Sequence, residues 1–71
     1  MKLKKLLSHL NFLTLVEIIE FHDAEETLFE GLVDNIPWWI ANMKLDTDDN
    51  GEAIYIHTEE GKEPVLNIYV K

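Results

Sequence analysis

Residues 14–21 read Thr14-Leu15-Val16-Glu17-Ile18-Ile19-Glu20-Phe21, a run that is rich in β-branched and aromatic side chains. Such side chains favour the pleated surface of a β-strand. Apolar residues occupy both odd and even positions of the run, which is typical of a central strand that is covered on both faces. The run therefore predicts the first strand of a sheet, with one layer packed on each side of it.

The segment before this strand predicts a short amphipathic helix. Leucines recur there at the i, i+3, i+4, i+7 spacing of one helical face, at Leu3, Leu6, Leu7 and Leu10. A helix of this length is marginal alone. We therefore expect the leucine stripe to pack on the sheet.

Four further extended segments follow, at residues 27–33, 43–46, 53–58 and 65–70. Gly31 predicts a bulge in the first of them, and Asn50-Gly51 predicts a hairpin between the second and the third. The last segment alternates, so its even residues are expected to face the core together with Ile54 and Ile56. Between these strands, Pro37 predicts one helical or 3₁₀ turn.

Together these elements predict an α+β fold in a single domain spanning residues 1–71. An N-terminal amphipathic helix is expected to pack on a small, mainly antiparallel sheet of about five strands. We expect the strands to form a meander that curls into a partly open barrel. A chain of 71 residues has room for one core of this kind.

The charge of the chain narrows the possible partners. All fourteen carboxylates lie between Glu17 and Glu63 with only two lysines, which makes the net charge of this segment −12. Nucleic acids and anionic membranes bind mainly through lysine and arginine, so neither is an expected partner. A basic protein partner fits the sign of the charge. The chain has no cysteine and no evident signal peptide or membrane span, so we expect it to be cytoplasmic.

The stretch Asp46-Thr47-Asp48-Asp49-Asn50-Gly51 matches the opening of a calcium-binding loop. Calcium binding through Asp46, Asp48 and Asn50 is therefore one alternative. The twelfth position of such a loop should be a bidentate glutamate, and here it is His57. Because Asp, Asn and Gly also dominate hairpin turns, the turn is the favoured interpretation, and we expect no metal or other cofactor.

The sequence predicts no catalytic residues. The three histidines lack the close spacing of zinc ligands, and the paired acids at 25–26 and 59–60 lie in predicted turns. General acid–base catalysis needs carboxylates in a desolvated cleft. We therefore expect that the protein is not an enzyme.

The pair Trp38-Trp39 is the best candidate for an interface. The two side chains diverge by about 100° on a helical turn, so we expect one to fill the core and the other to be an exposed anchor of the kind that is common at binding hot spots. Glu30 and Asp34 are expected to form an acidic rim around it.

The chain resembles a family of small uncharacterised proteins carried by prophages and integrative elements of gut Clostridia and their relatives. The resemblance rests on three segments, Met1-Lys2-Leu3-Lys4-Lys5-Leu6-Leu7, residues 28–37 and Leu66-Asn67-Ile68-Tyr69-Val70-Lys71. It implies a bacterial or phage cytoplasmic setting and transfers no catalytic residue. The sequence thus predicts a protein-interaction module with an acidic face for a basic partner, monomeric or weakly homodimeric. The alternatives are the calcium-binding domain and a self-associating structural protein.

Overall fold

The structure is a computed structural model that describes residues 1–21, 23–46, 54–58 and 60–71. Its elements are helix α1 (Leu3–Leu7), strand β1 (Leu15–Phe21), strand β2 (Glu25–Leu32), a 3₁₀ turn (Val33–Asn35), helix α2 (Trp38–Ala41), strand β3 (Ile54–His57) and strand β4 (Val65–Val70). The α+β class is as predicted. Helix α1 precedes the β1–β2 strand pair, and helix α2 follows it.

Four strands, one fewer than predicted, form an open sheet in the order β2-β1-β4-β3 within the described part of the chain. The β1–β2 and β3–β4 pairs are antiparallel, so the sheet is mainly antiparallel as expected. The central β1–β4 pair is parallel, which makes the meander prediction wrong. The order ends at β2 and β3, so the sheet is open and does not close into a barrel.

The predicted strand at 43–46 is reduced to isolated bridges. Leu45 pairs with Val70, on the side of β4 where β3 also lies, and Lys44 pairs with Lys2. Both 44–46 and β3 run antiparallel to β4 along this side. The two segments therefore run in the same direction, and the predicted hairpin between them is wrong. Asn50 and Gly51 themselves lie outside the described residues.

The helices cover one side of the sheet, which we call the helical face. The buried core on this face consists of six side chains, Leu3, Val16, Ile18, Ile40, Ile68 and Val70. Leu6, Leu7 and Leu10 pack against it, which confirms that the leucine stripe lies on the sheet. Ile68 and Val70 face the core as predicted. Ile54 and Ile56 project from the same face at the edge but are exposed.

The bulge in β2 lies three residues before its predicted position, Gly31. The register shifts between Ile18 and Ile19, which pair with Phe29 and Thr27, so Leu28 is the extra residue. Gly31 instead pairs regularly with Val16. The φ of Gly31 is 154°, and the ring of Phe29 lies close to where a Cβ would be, with its Cζ 3.2 Å away.

Candidate functional site: the open face of the sheet

The second side of the sheet, which we call the open face, carries the odd-numbered residues of β1, β3 and β4. None of the described helices or strands lies over it, so the predicted second layer is not found in the described part of the chain. Ile19, in the middle of this face, is nevertheless only 3% exposed. Its register neighbours on the adjacent strands are Tyr69 and Thr27.

Hydrogen bonds between strands order the polar side chains of this face. The Tyr69 hydroxyl donates to Glu25 Oε1 at 2.8 Å, and the Thr27 hydroxyl donates to Glu17 Oε1 at 3.2 Å. The Tyr55 and Tyr69 rings meet edge to face with centroids 5.6 Å apart, a favourable arrangement for aromatic pairs. The open face is thus an ordered surface of tyrosines and carboxylates.

The bond to Glu25 also changes the acidity of Tyr69. The Glu25 carboxylate accepts a hydrogen bond from the neutral phenol and thereby raises the pKa of Tyr69 above its ordinary value of 10.0, with burial and the charges of Glu25 and Glu17 acting in the same direction. The neutral phenol is therefore the form that the fold favours.

A half-open depression of about 370 Å³ lies at the end of the open face where β1 begins. Three carboxylates line it, those of Glu17, Glu30 and Glu63, together with the Lys62 ammonium group and the His57 imidazole. Val65 and Asn67 of β4 complete its lining. Three carboxylates against one ammonium group make this depression a suitable place for a cationic side chain.

Register explains why two of these carboxylates are close. Glu17 of β1 and Glu30 of β2 are directly opposite each other in the antiparallel pair. Residues in such positions point to the same face with their Cβ atoms about 5 Å apart. The sheet itself therefore brings two negative charges together at the depression.

The other end of the open face carries three lysines. Lys71 follows β4 and is hydrogen-bonded through its backbone to Lys44, with N–O distances of 2.9 and 3.3 Å. Lys44 in turn pairs with Lys2, so three lysines stand side by side. One carboxylate, that of Asp46, lies 3.9 Å from the Lys71 ammonium group. The charge of the open face therefore differs along the strands, with three carboxylates and one ammonium group at the depression and three lysines together with Asp46 and Glu25 at the other end.

The predicted interface residues are not brought together on one surface. Trp38 is 77% and Trp39 51% exposed, so the prediction that one of them fills the core is wrong. Ile40 fills the core in their place because the next position of this short helix points inwards. Glu30 lies on the open face, whereas α2 packs on the helical face. Asp34 is exposed in the 3₁₀ turn, and its N–H donates to the Phe12 carbonyl.

Sequence reasoning missed Glu17, Glu63 and Asn67 as members of the site. A signal for two of them is present, because Glu17 and Asn67 interrupt otherwise apolar strands at odd positions. Glu17 and Asn67 are neighbours only because of the parallel β1–β4 register, which places these two residues side by side. Glu63 lies in the turn before β4 and carries no comparable signal.

The described residues offer no metal centre. Groups of three or more potential ligands placed to hold a metal ion are not found among them. Of the candidate calcium ligands, Asp46 lies beside Lys71, while Asp48 and Asn50 lie outside the described residues. Nor do the described residues include a helix with the length and apolar character needed to cross a bilayer.

In comparisons with known proteins, no family model, curated protein or solved structure matches the chain. The resemblance to mobile-element proteins therefore stays a prediction, and function has to be argued from the site alone.

Proposed function

We propose that this chain is a non-enzymatic protein-interaction module whose open face binds a basic segment of a partner protein. The observation that carries the proposal is the direct opposition of Glu17 and Glu30 beside Glu63 at the depression. Like charges directly opposite in a sheet are destabilising. A lysine or arginine side chain that enters the depression would replace this repulsion with attraction.

The charge pattern of the whole face supports a defined orientation of the partner. A net charge of −8 attracts basic proteins over several ångströms and raises the rate of encounter. The row of Lys2, Lys44 and Lys71 at the far end of the face repels the same cations. A partner segment would therefore bind with its basic residues at the depression and with neutral or acidic residues towards the lysines.

Trp38, Trp39 and Asp34 form a separate part of the proposal. Exposed tryptophans are enriched at binding hot spots because burying their rings yields a large apolar gain. They belong to the other side of the sheet, so a partner that uses them need not touch the depression. The resemblance to mobile-element proteins suggests a phage or host protein as the partner of either surface.

A short arginine-rich peptide tests the open-face proposal directly. Titration followed by amide NMR shifts is expected to move signals around Glu17, Glu30 and Asn67. Glu30→Gln and Glu17→Gln should each weaken binding about two- to fivefold, the effect of losing one exposed charge pair. Glu26→Gln is the matched control, because it removes the same charge from the same strand but on the helical face.

Two outcomes would count against the proposal. One is a loss of affinity in Glu26→Gln as large as that in Glu30→Gln, since binding would then follow total charge alone. The other is a set of shifts spread over all acidic segments without a maximum at the depression. Trp38→Ala should leave peptide binding unchanged, because its side chain lies on the other side of the sheet.

A further inference from the structure

The fold separates the two signs of charge between its layers. The helical layer, which we define as residues 1–13 and 35–45, contains four of the six lysines and no aspartate or glutamate. It includes α1 and α2, which pack against each other, and the Leu3 N–H donates to the Met43 carbonyl at 2.8 Å. The fourteen carboxylates all lie in other segments of the chain. The helical layer is therefore a basic part of an acidic protein.

Helical geometry places two of these lysines on the outer side of α1. Leu3 is buried against the sheet, and successive residues of a helix are about 100° apart. Lys5, two positions after Leu3, therefore points away from the sheet, and Lys4 lies on the flank of the helix. Both lysines are exposed, so their charges are available to a partner.

The same geometry places a tryptophan on the outer side of α2. Ile40 is buried, and Trp38, two positions before it, points away from the sheet and is 77% exposed. Trp39 lies on the flank and is 51% exposed. The outer side of the helical layer thus combines the two tryptophans of the chain with lysines, and the layer supplies no carboxylate of its own.

We propose that Lys4, Lys5, Trp38 and Trp39, which we call the tryptophan–lysine surface, bind an acidic segment of a partner protein that also contributes an apolar side chain. The inference rests on the proposed function, in which the tryptophans are a separate interface, and it adds the chemistry of the partner there. Carboxylates of the segment pair with the lysines, and its apolar side chain covers the tryptophan rings. The sign of charge is opposite to that of the partner at the depression.

The net charge of −8 does not prevent this binding. At physiological ionic strength exposed charges are screened over about 8 Å. The molecule measures 30 × 24 × 20 Å, and Glu17 and Glu30 lie on the open face, on the other side of the sheet from the helices. A helix with its side chains is itself about 10 Å thick. An acidic segment on the outer side of the helices therefore responds mainly to the lysines next to it.

Two aspartates limit the size of the occupant. Asp34 is exposed beside Phe12, whose carbonyl accepts the Asp34 N–H at 3.1 Å, and Asp46 follows the other end of the layer beside Lys71. Nucleic acids and anionic bilayers carry negative charge over longer distances than this layer. They would meet these aspartates and the carboxylates of the sheet as well. A short acidic segment fits the layer without this repulsion.

Titration with a short labelled peptide, in which glutamates flank one leucine, tests the proposal by fluorescence anisotropy. Lys4→Gln and Lys5→Gln should each weaken binding about two- to fivefold, and Trp38→Ala about five- to thirtyfold. Lys62→Gln is the matched control, because it removes the same charge at the depression on the open face and should leave the affinity unchanged. Bound peptide should also shift the tryptophan emission to shorter wavelength.

Three outcomes would overturn the proposal. They are an absence of peptide binding, an equal loss of affinity in Lys62→Gln and Lys5→Gln, and tighter binding of an oligothymidylate or of phosphatidylserine vesicles than of the peptide. Circular dichroism checks that the variants, all at exposed positions, remain folded.

Glu30→Gln separates this proposal from the open-face proposal. It should leave binding of the acidic peptide unchanged, although it weakens binding of the arginine-rich peptide. Failure of the acidic peptide to bind, with the arginine-rich peptide still bound at the depression, would therefore reject the tryptophan–lysine surface alone.

Discussion

The bond between Tyr69 and Glu25 is the contact that ties residues 44 positions apart across the open face. It joins β4 to β2 over the intervening β1. A hydrogen bond to a charged acceptor is stronger than one between neutral groups. This single contact therefore stabilises the order of three strands on a face that no described helix covers.

The raised pKa of Tyr69 makes this bond measurable. We predict that Glu25→Gln lowers the pKa of Tyr69 towards 10.0, because the charged acceptor is the main cause of the shift. Carbon-13 NMR of labelled tyrosine rings follows Tyr69 separately from Tyr55. Glu26→Gln, one position along and on the other face, is the control and should leave the pKa unchanged.

The same bond contributes to the pH dependence of stability. Since folding raises this pKa, the contribution is fully present below pH 10, the ordinary tyrosine value, and is lost as the pH rises through the higher folded value. The wild-type free energy of unfolding should therefore fall more steeply than that of Glu25→Gln above pH 10. Equal slopes for the two proteins would contradict the assigned role of Glu25.

At the scale of elements, strand β2 depends on a glycine beneath an aromatic ring. The φ of Gly31 is 154°, and an added Cβ would lie 3.2 Å from Phe29 Cζ. Non-glycine residues rarely adopt such a φ, and the strain costs on the order of 1–3 kcal/mol. The ring of Phe29 lies over the backbone of Gly31, which has no side chain of its own.

We predict that Gly31→Ala lowers the free energy of unfolding by about 1–3 kcal/mol, measured by urea denaturation. Gly61→Ala is the comparison, because Gly61 has a φ of 79° but no atom within 4 Å of an added Cβ. It should cost only about 1 kcal/mol, the conformational term alone. In a Phe29→Leu background the cost of Gly31→Ala should shrink but persist, and a neutral Gly31→Ala would show that the local backbone can relax.

The elements that the sequence predicted well are those whose signal is local. The leucine spacing of the first helix, the β-branched run of β1 and the alternation of β4 all depend on residues within one segment. The Asn50-Gly51 signal failed because a turn dipeptide carries no information about which strand its flanks pair with. Here both flanks lie along β4, a choice made by contacts that are 8 to 25 residues apart in sequence.

The candidate site was less predictable than the fold for the same reason. Glu30 was singled out from the sequence, but its partner Glu17 becomes visible only when the β1–β2 register is known. The tryptophans were recognised as a candidate interface, yet their exposure depends on which position of α2 points to the sheet. A four-residue helix has too little periodicity to decide that question before the core is assembled.

For the whole molecule, the balance of charge sets both stability and association. The chain has fourteen carboxylates and six lysines. The ion pair of Lys71 and Asp46 lies at the surface, and ion pairs at the surface contribute little to the free energy of unfolding. The net charge of −8 therefore leaves an excess of carboxylates that repel one another in the compact state. Because a chain of this size buries only about 60% of its unfolded surface, this repulsion takes a large share of a small stability.

We predict that the melting temperature rises as sodium chloride is added, since screening weakens the repulsion in the compact state more than in the expanded one. Glu30→Gln should raise the melting temperature at low salt by about 1–8 °C, corresponding to about 0.2–1 kcal/mol for relieving its opposition to Glu17. The melting temperature of Glu30→Gln should also depend less steeply on salt.

Glu60→Gln, which removes an exposed carboxylate from a turn, should have a smaller effect on the melting temperature and on its salt dependence. Calorimetry at low protein concentration measures the melting temperature of each variant. A melting temperature that falls or stays constant with salt would mean that attractive pairs, and not the carboxylates crowded on the sheet, dominate the electrostatics of the fold.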